Sequence, residues 1–359
     1  MTRVLSDSVR GSHLRNRRGF AAPTPAAAQS SKSSPARVGR TEDASRPAQL
    51  IDVHHHIFPP ALQAALKSIL SPFQLTDTKR SLGEMRSGRV ATSIISYPND
   101  VITRWPAARL AALLQQANDE AAEMVALRPR TYGLFASLPM PYVGKSLREL
   151  ERLYKQLGAH FDGILLLTSY GNRWLGHPSF APLMSELNSC RAVVFVHPRS
   201  PPCCCSFLPQ LHPSVIEYET DTVRTIADLI FSGTIDRFPD IQWLFSHGGG
   251  TMPSLVERLQ TAQRPSPRII GQFANPPETY LRGFYYDTAQ SAHPVIVRSL
   301  LGIVPASQVC FGTDFPYRRA AEQSDALRAM HFLSNRRLER ILWGNTQRLL
   351  PRLRAVAPS

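Results

Sequence analysis

The sequence predicts an α/β protein folded as a closed (β/α)8 TIM barrel, and three observations carry that expectation. Eight short apolar, β-rich runs alternate with longer helix-patterned stretches over about 300 residues, the order and scale of such a barrel. The chain of 359 residues is long enough to bury a sizeable core, and 43% hydrophobic with 19% charged residues is ordinary globular composition. The chemically versatile side chains gather at the ends of the β-rich runs, where a barrel builds its sites. An open doubly wound sheet is the second arrangement compatible with the alternation.

The predicted strands, in order, are QLIDVHHHIF (49–58), VATSIISY (90–97), TYGLFASLP (131–139), DGILLLTSY (162–170), AVVFVHP (192–198), IQWLFSHGG (241–249), FYYDTAQS (284–291) and VCFGTDFPY (309–317). Each is rich in Val, Ile, Leu, Phe or Tyr and is bounded by Gly, Pro or polar turn residues. Between them, AARLAALLQQANDEAAEMVA and VRTIADLIFSGTI repeat apolar residues at three- and four-residue spacing and predict helices. LERILWGNTQRLLPRL reads as a last helix covering the barrel. Residues 1–47 are rich in Ser, Ala, Arg and Pro without periodicity, and predict a disordered basic extension ahead of a catalytic domain at 48–359. NRRGF within that extension resembles part of an export or transit signal, but no apolar stretch of about 7–15 residues follows it, so a degenerate targeting segment is the most it predicts.

The formal charge of +14 divides unevenly. Residues 1–49 and 318–359 each hold nine basic against three acidic residues, which leaves +2 for the 268 residues between them. Basic ends on a near-neutral body, with no aromatic-interleaved basic patch, argue against a nucleic-acid partner. No apolar run reaches the roughly 18 residues of a membrane span, so no membrane partner is expected. The five cysteines, three of them contiguous at Cys203, Cys204 and Cys205, have neither disulfide-framework nor zinc-knuckle spacing. They read as reduced loop thiols in a cytoplasmic chain.

Within IDVHHHIFPP, strand alternation puts Asp52, His54 and His56 on one face and His55 on the other, so two histidines can share a metal ion. His197 ends the fifth run, His247 the sixth, and Asp314 lies in the eighth. In a barrel these five converge on one mouth, and nitrogen with carboxylate donors suits Zn²⁺, or less selectively Mn²⁺, Fe²⁺ or Co²⁺. His55 reads as structural, and His160, His177, His212, His293 and His331 as ordinary polar residues.

On IDVHHHI, VVFVHP, LFSHGGG, VCFGTDFPY and WGNTQRLLP, in this order over residues 50–355, the chain resembles the metal-dependent amidohydrolase superfamily, in its branch related to aminocarboxymuconate-semialdehyde decarboxylase. LLTSYGNRWLGHPSFAPLMSEL, FVHPRSPPCC and FYYDTAQSAHP further resemble the 6-methylsalicylate decarboxylase group. The resemblance implies that His54, His56, His197 and Asp314 hold one divalent ion, Zn²⁺ or Mn²⁺, and that His247 and Asp314 handle the proton. It also implies a small aromatic carboxylic acid substrate that loses CO2, and a homodimer. Relatives with two metals use a carboxylated lysine ending the fourth strand; here that strand has none, and Lys155 precedes it. A carboxylate substrate favours a cation, for which Arg199 is the first candidate, with Arg173, Arg318 and the nearby Tyr170 as competitors. The rival reading is a hydrolase of a lactone, amide or ester on the same barrel, and a basic, metal-free binding protein is a third.

A chain beginning at Ala48 is expected to match the full chain in soluble yield, thermal midpoint and turnover. A purification in which the shortened chain aggregates would show that residues 1–47 contribute to the fold.

Overall fold

Backbone hydrogen bonding decides between the two arrangements. The computed structural model describes residues 50–204, 207–262 and 274–354; the extension expected over 1–47 and Cys205 lie outside the described residues. Among the described residues eight strands form the main sheet: β1 Leu50–His56, β2 Val90–Ser96, β3 Tyr132–Ser137, β4 Gly163–Leu167, β5 Val193–His197, β6 Gln242–Phe245, β7 Tyr285–Asp287 and β8 Val309–Cys310; Ser169–Tyr170 and Arg173–Trp174 form a separate antiparallel pair. The eight lie side by side in sequence order, and every neighbouring pair is parallel. The chain just past β8 returns to β1: Val53 N–H donates to Phe311 O, Asp314 N–H to His54 O and His56 N–H to Phe315 O, at 2.9–3.0 Å. These bonds close the circle, giving a (β/α)8 barrel, and they carry Asp314 alongside His54 and His56.

Helices cover the barrel as the periodicity predicts. Ala107–Leu127 buries Leu110, Leu114, Ala117, Ala121 and Val125 along one stripe. VRTIADLIFSGTI is not one helix: Glu217–Phe231 ends before Gly233, which sits at φ 68°, and a short turn Thr234–Arg237 follows. The closing segment runs as one continuous helix over residues 335–349 that widens into a π turn over Arg340–Gly344, and a 3-10 turn Pro351–Arg354 follows it. Within the π turn the Ile341 carbonyl accepts the Phe311 N–H at 2.8 Å, and a carbonyl turned to an outside donor is a physical reason for a widened helix. Asn345 then donates to the Ala306 and Val309 carbonyls at 2.7 and 2.6 Å, and Arg352 clamps Asp162 through two 2.8 Å bonds. Among the described residues, Cys190, Cys203, Cys204 and Cys310 are free thiols.

Strands β6, β7 and β8 are shorter than their apolar runs suggest. The chain leaves extended geometry as it reaches the mouth: His247, Gln290 and Asp314 all adopt left-handed backbone conformations, at φ 53°, 51° and 66°. Such conformations cost non-glycine residues roughly 1–3 kcal/mol each and persist where the surroundings over-determine them. Below the mouth, Phe135 and Phe195 stack at 5.2 Å inside the barrel, and Phe195 meets His54 edge-on at 5.0 Å, so the site rests on an apolar floor.

Gly312 is where the closing strand passes closest to the site. A Cβ there would lie 3.0 Å from both the His54 and Asp287 Cβ atoms, which are anchored by their own backbones. Gly312→Ala is expected to cost about 1–3 kcal/mol of stability by overpacking, read as a lower denaturation midpoint. An unchanged midpoint would show that the two strands can spread without cost.

Candidate metal centre and active site

Four side chains from three strand ends meet at the mouth, two of them from β1. His54 Nε2 and His56 Nε2 are 3.2 Å apart, and Asp314 Oδ1 lies 3.2 Å from the first and 3.0 Å from the second. The His197 ring stands 5.2 and 5.0 Å from the His54 and His56 rings. One donor atom from each of these four buried residues falls within 4.8 Å of all the others. Asp52, which strict alternation places with them, is elsewhere. The pairing of β1 with β2 shifts register between Asp52 and His55, and the Asp52 carboxylate accepts from Thr313 Oγ1 at 2.7 Å and reaches His55 Nδ1 at 3.0 Å. His55 bonds onward to Ser81 at 2.8 Å, away from the mouth.

The outer nitrogen of each imidazole explains why the inner ones converge. His54 Nδ1 meets Asp287 Oδ2 at 2.8 Å, His56 Nδ1 lies 3.3 Å from the Ser96 carbonyl and 3.0 Å from its hydroxyl, and His197 Nδ1 is 2.9 Å from the Pro198 carbonyl. Carboxylates and carbonyls only accept, so each Nδ1 carries the proton and each Nε2 presents a lone pair. Three lone pairs and a carboxylate oxygen crowded together repel unless a positive charge lies among them. The residues therefore fit a divalent ion held by His54, His56, His197 and Asp314.

The neighbouring charges affect the three imidazoles differently. Burial lowers His54, but Asp287 and Asp314 outweigh it and raise it to about 9, so its Nε2 holds a proton that a bound cation must displace. His197, with burial and then the neighbouring imidazoles against it, is pushed well below its usual value, and burial also lowers His56. Burial raises Asp314, yet His54, His247 and His56 hold its carboxyl well below the usual range.

His247 stands beside this cluster rather than in it. Its ring stacks on His54 at 5.1 Å, Nδ1 approaches Glu219 Oε1 at 2.9 Å, and Nε2 is 3.6 Å from Asp314 Oδ2. Burial lowers its pKa, but Glu219 and Asp314 raise it well above the ordinary histidine value. Glu219 comes from the helix Glu217–Phe231 and is brought in by Gly250: a Cβ at that glycine would lie 2.2 Å from the Glu219 carbonyl. Gln290 Nε2 donates to Asp314 Oδ2, so the two carboxylate oxygens differ, Oδ1 facing the imidazoles and Oδ2 facing Gln290 and His247.

The mouth opens into a cavity of about 1080 Å³ whose lining includes His56, His197, Glu219, His247, Gln290 and Asp314. Two residues expected near the substrate lie outside the described lining. Arg199 is buried behind the wall, donating to Thr103 Oγ1 at 3.3 Å, and Tyr170 is buried with its hydroxyl accepting the Leu167 N–H at 2.9 Å; neither lines the cavity. No arginine or lysine is present in the described lining. Sequence reasoning missed Glu219, Asp287 and Gln290. Asp287, at the end of the seventh strand, was open to the same strand-end rule that found His197. Glu219 had no signal, because it sits in the first turn of a helix among other acids.

Residues 51–352 match the amidohydrolase family. The chain belongs to that family. A 6-methylsalicylic acid decarboxylase of Penicillium expansum is 33% identical over 85% of this chain and 97% of its own length. The amidohydrolase barrel also superposes on the 5-carboxyvanillate decarboxylase of Sphingomonas paucimobilis, with a TM-score of 0.78, 19% identity, and 85% and 99% of the two chains covered. A dihydroxybenzoic acid decarboxylase of Polaromonas sp. JS666, solved with bound manganese and 2-nitroresorcinol, matches with a TM-score of 0.75 and 21% identity over 84% and 96%.

Elemental analysis is expected to find about one divalent ion per chain; two tightly held equivalents would overturn the single site. His54→Ala or His197→Ala should empty it, and Asp287→Asn should weaken metal affinity about 10–100-fold by releasing His54 Nδ1. His247→Ala should keep the metal, and its loss there would make His247 a ligand.

Proposed function

We propose that the chain is a metal-dependent, non-oxidative decarboxylase of ortho-hydroxy aromatic acids of the 6-methylsalicylate type. The observation that carries this reading is a cation site and a buried, proton-holding imidazole facing one cavity, in a chain that aligns over nearly the whole length of a 6-methylsalicylic acid decarboxylase. A hydrolase on this barrel needs a base that takes a proton from water. Glu219, 2.9 Å from His247, favours the imidazolium instead, and so favours an acid.

A divalent ion held by His54, His56, His197 and Asp314 would supply Lewis acidity and a positive charge for the substrate's oxygens, in a described lining that contains no lysine or arginine. Zinc suits three imidazoles and a carboxylate, and manganese is the ion of the Polaromonas relative. His247 releases its Nε2 proton to the ring carbon that bears the carboxylate. A ring π pair forms the new C–H bond, and aromaticity is lost. The bond to the carboxylate then breaks, its electron pair returns to the ring, and CO2 leaves with the phenol restored. Glu219 steadies the imidazolium and, being partly exposed, links it to solvent for the next proton. Asp314, kept anionic by the histidines and oriented by Gln290, holds the imidazolium facing the substrate.

Metal-loaded protein given 6-methylsalicylate is expected to yield CO2 and 3-methylphenol, with deuterium from D2O at the vacated carbon. Chelator should abolish the reaction, and Zn²⁺ or Mn²⁺ should restore it. Metal-dependent cleavage of lactones or aryl esters without CO2 from any salicylate would make the hydrolase reading the correct one.

His247→Ala should lower kcat by about 10²–10⁴-fold. Glu219→Gln removes the anion that raises His247, so the protonated form should be lost at lower pH and the alkaline limb of kcat should move to lower pH. A profile unmoved by Glu219→Gln would assign the proton elsewhere.

A further inference from the structure

The cavity is much larger than the chemistry at its floor requires. Roughly 150 Å³ accommodates a benzene ring, and clefts for drug-sized ligands span about 300–1,000 Å³. At about 1080 Å³ this one has room for a ring and a sizeable substituent.

Its walls say what kind. The floor is polar, but Ile69, Val101, Val215, Val295 and Tyr317 ring the opening, 50%, 37%, 57%, 67% and 46% exposed. They come from five separate segments, following β1, β2, β5, β7 and β8. Single exposed apolar residues are ordinary; five segments each placing one on the same opening, interspersed with the exposed polar residues His212, Ser214, Ser254 and Ser299, form a partly apolar collar joined to the active site. Outside the ligand cluster and His247, the ionisable acids of the described lining are Asp100 and Glu219; the lining contains no lysine or arginine, and the buried Arg199 stands behind Asp100, whose carboxyl burial raises and Arg199 lowers. Away from the floor, a second carboxylate on the substrate would find no cation in that lining.

We infer that the substrate is an aromatic mono-acid carrying an apolar, uncharged chain longer than methyl, with the acid at the floor and the chain along the collar. This rests on the decarboxylase reading for the orientation of the acid. A fully buried methylene is worth about fourfold in binding, and a partly exposed collar should return about twofold or more.

The test compares kcat/KM of the metal-loaded full chain for salicylates bearing methyl, propyl and pentyl at ring position 6, with a parallel series at position 4. At least one series should rise about twofold or more per methylene, and a salicylate with a second carboxylate should be the poorest substrate. Val215→Asn together with Val295→Asn should bring the pentyl-to-methyl ratio toward one. Flat or falling values in both series overturn the inference, as does a pentyl-to-methyl ratio untouched by the double substitution. Titration calorimetry of the same acids reads affinity apart from turnover. Affinity that rises with chain length without CO2 release removes the reaction and keeps the chain-binding collar, whereas turnover of 6-methylsalicylate with flat affinities does the reverse.

Discussion

Three imidazole lone pairs and one carboxylate oxygen held within 4.8 Å of one another make up the constraint around which this molecule is organised. Left to themselves they repel, and each must be held in place. Asp287, Ser96 and the Pro198 carbonyl do this from outside by occupying the three Nδ1 atoms. The backbone does it from below: Asp314 N–H donates to the His54 carbonyl, so the bond that closes the barrel also sets the fourth ligand against the first. Barrel closure and the donor cluster are thus one feature, and Gly312 marks how tightly the strands must approach to make it.

The backbone conformations at the mouth follow from the same demand. His247, Gln290 and Asp314 take positive φ where the chain reaches the site, and their runs stop short as strands there. The stabilisation that offsets this strain comes from the bonds they reach, including the His247 N–H to Asp287 Oδ1 at 2.8 Å and the Gln290 amide on Asp314. Asp287 consequently serves two neighbours, orienting His54 through one oxygen and the His247 backbone through the other.

Neighbouring charge tunes the buried histidines differently. His197 meets other imidazoles, whereas His54 is flanked by Asp287 and Asp314, and His247 by Glu219 and Asp314. Burial pushes all of them toward neutrality, and the sign of the neighbours decides the outcome: His197 stays neutral and His247 holds its proton. The cavity above joins that polar floor to exposed apolar residues from five parts of the chain.

Alternation of apolar runs with amphipathic stretches was enough to predict a barrel, and strand-end placement was enough to select His54, His56, His197, His247 and Asp314, because both are local patterns that parallel packing carries into space. The same local reasoning put Asp52 on the ligand face, where a register shift removes it, and Arg199 and Tyr170 in the cavity, where the chain after β4 and β5 folds them behind the wall. Whether the sheet closed was undecided in the sequence, since closure consists of backbone bonds between segments some 260 residues apart, which no side-chain pattern records. Glu219 shows the limit most clearly: its place beside His247 depends on a helix packing against a glycine 31 residues later, and only the tertiary structure brings those two together.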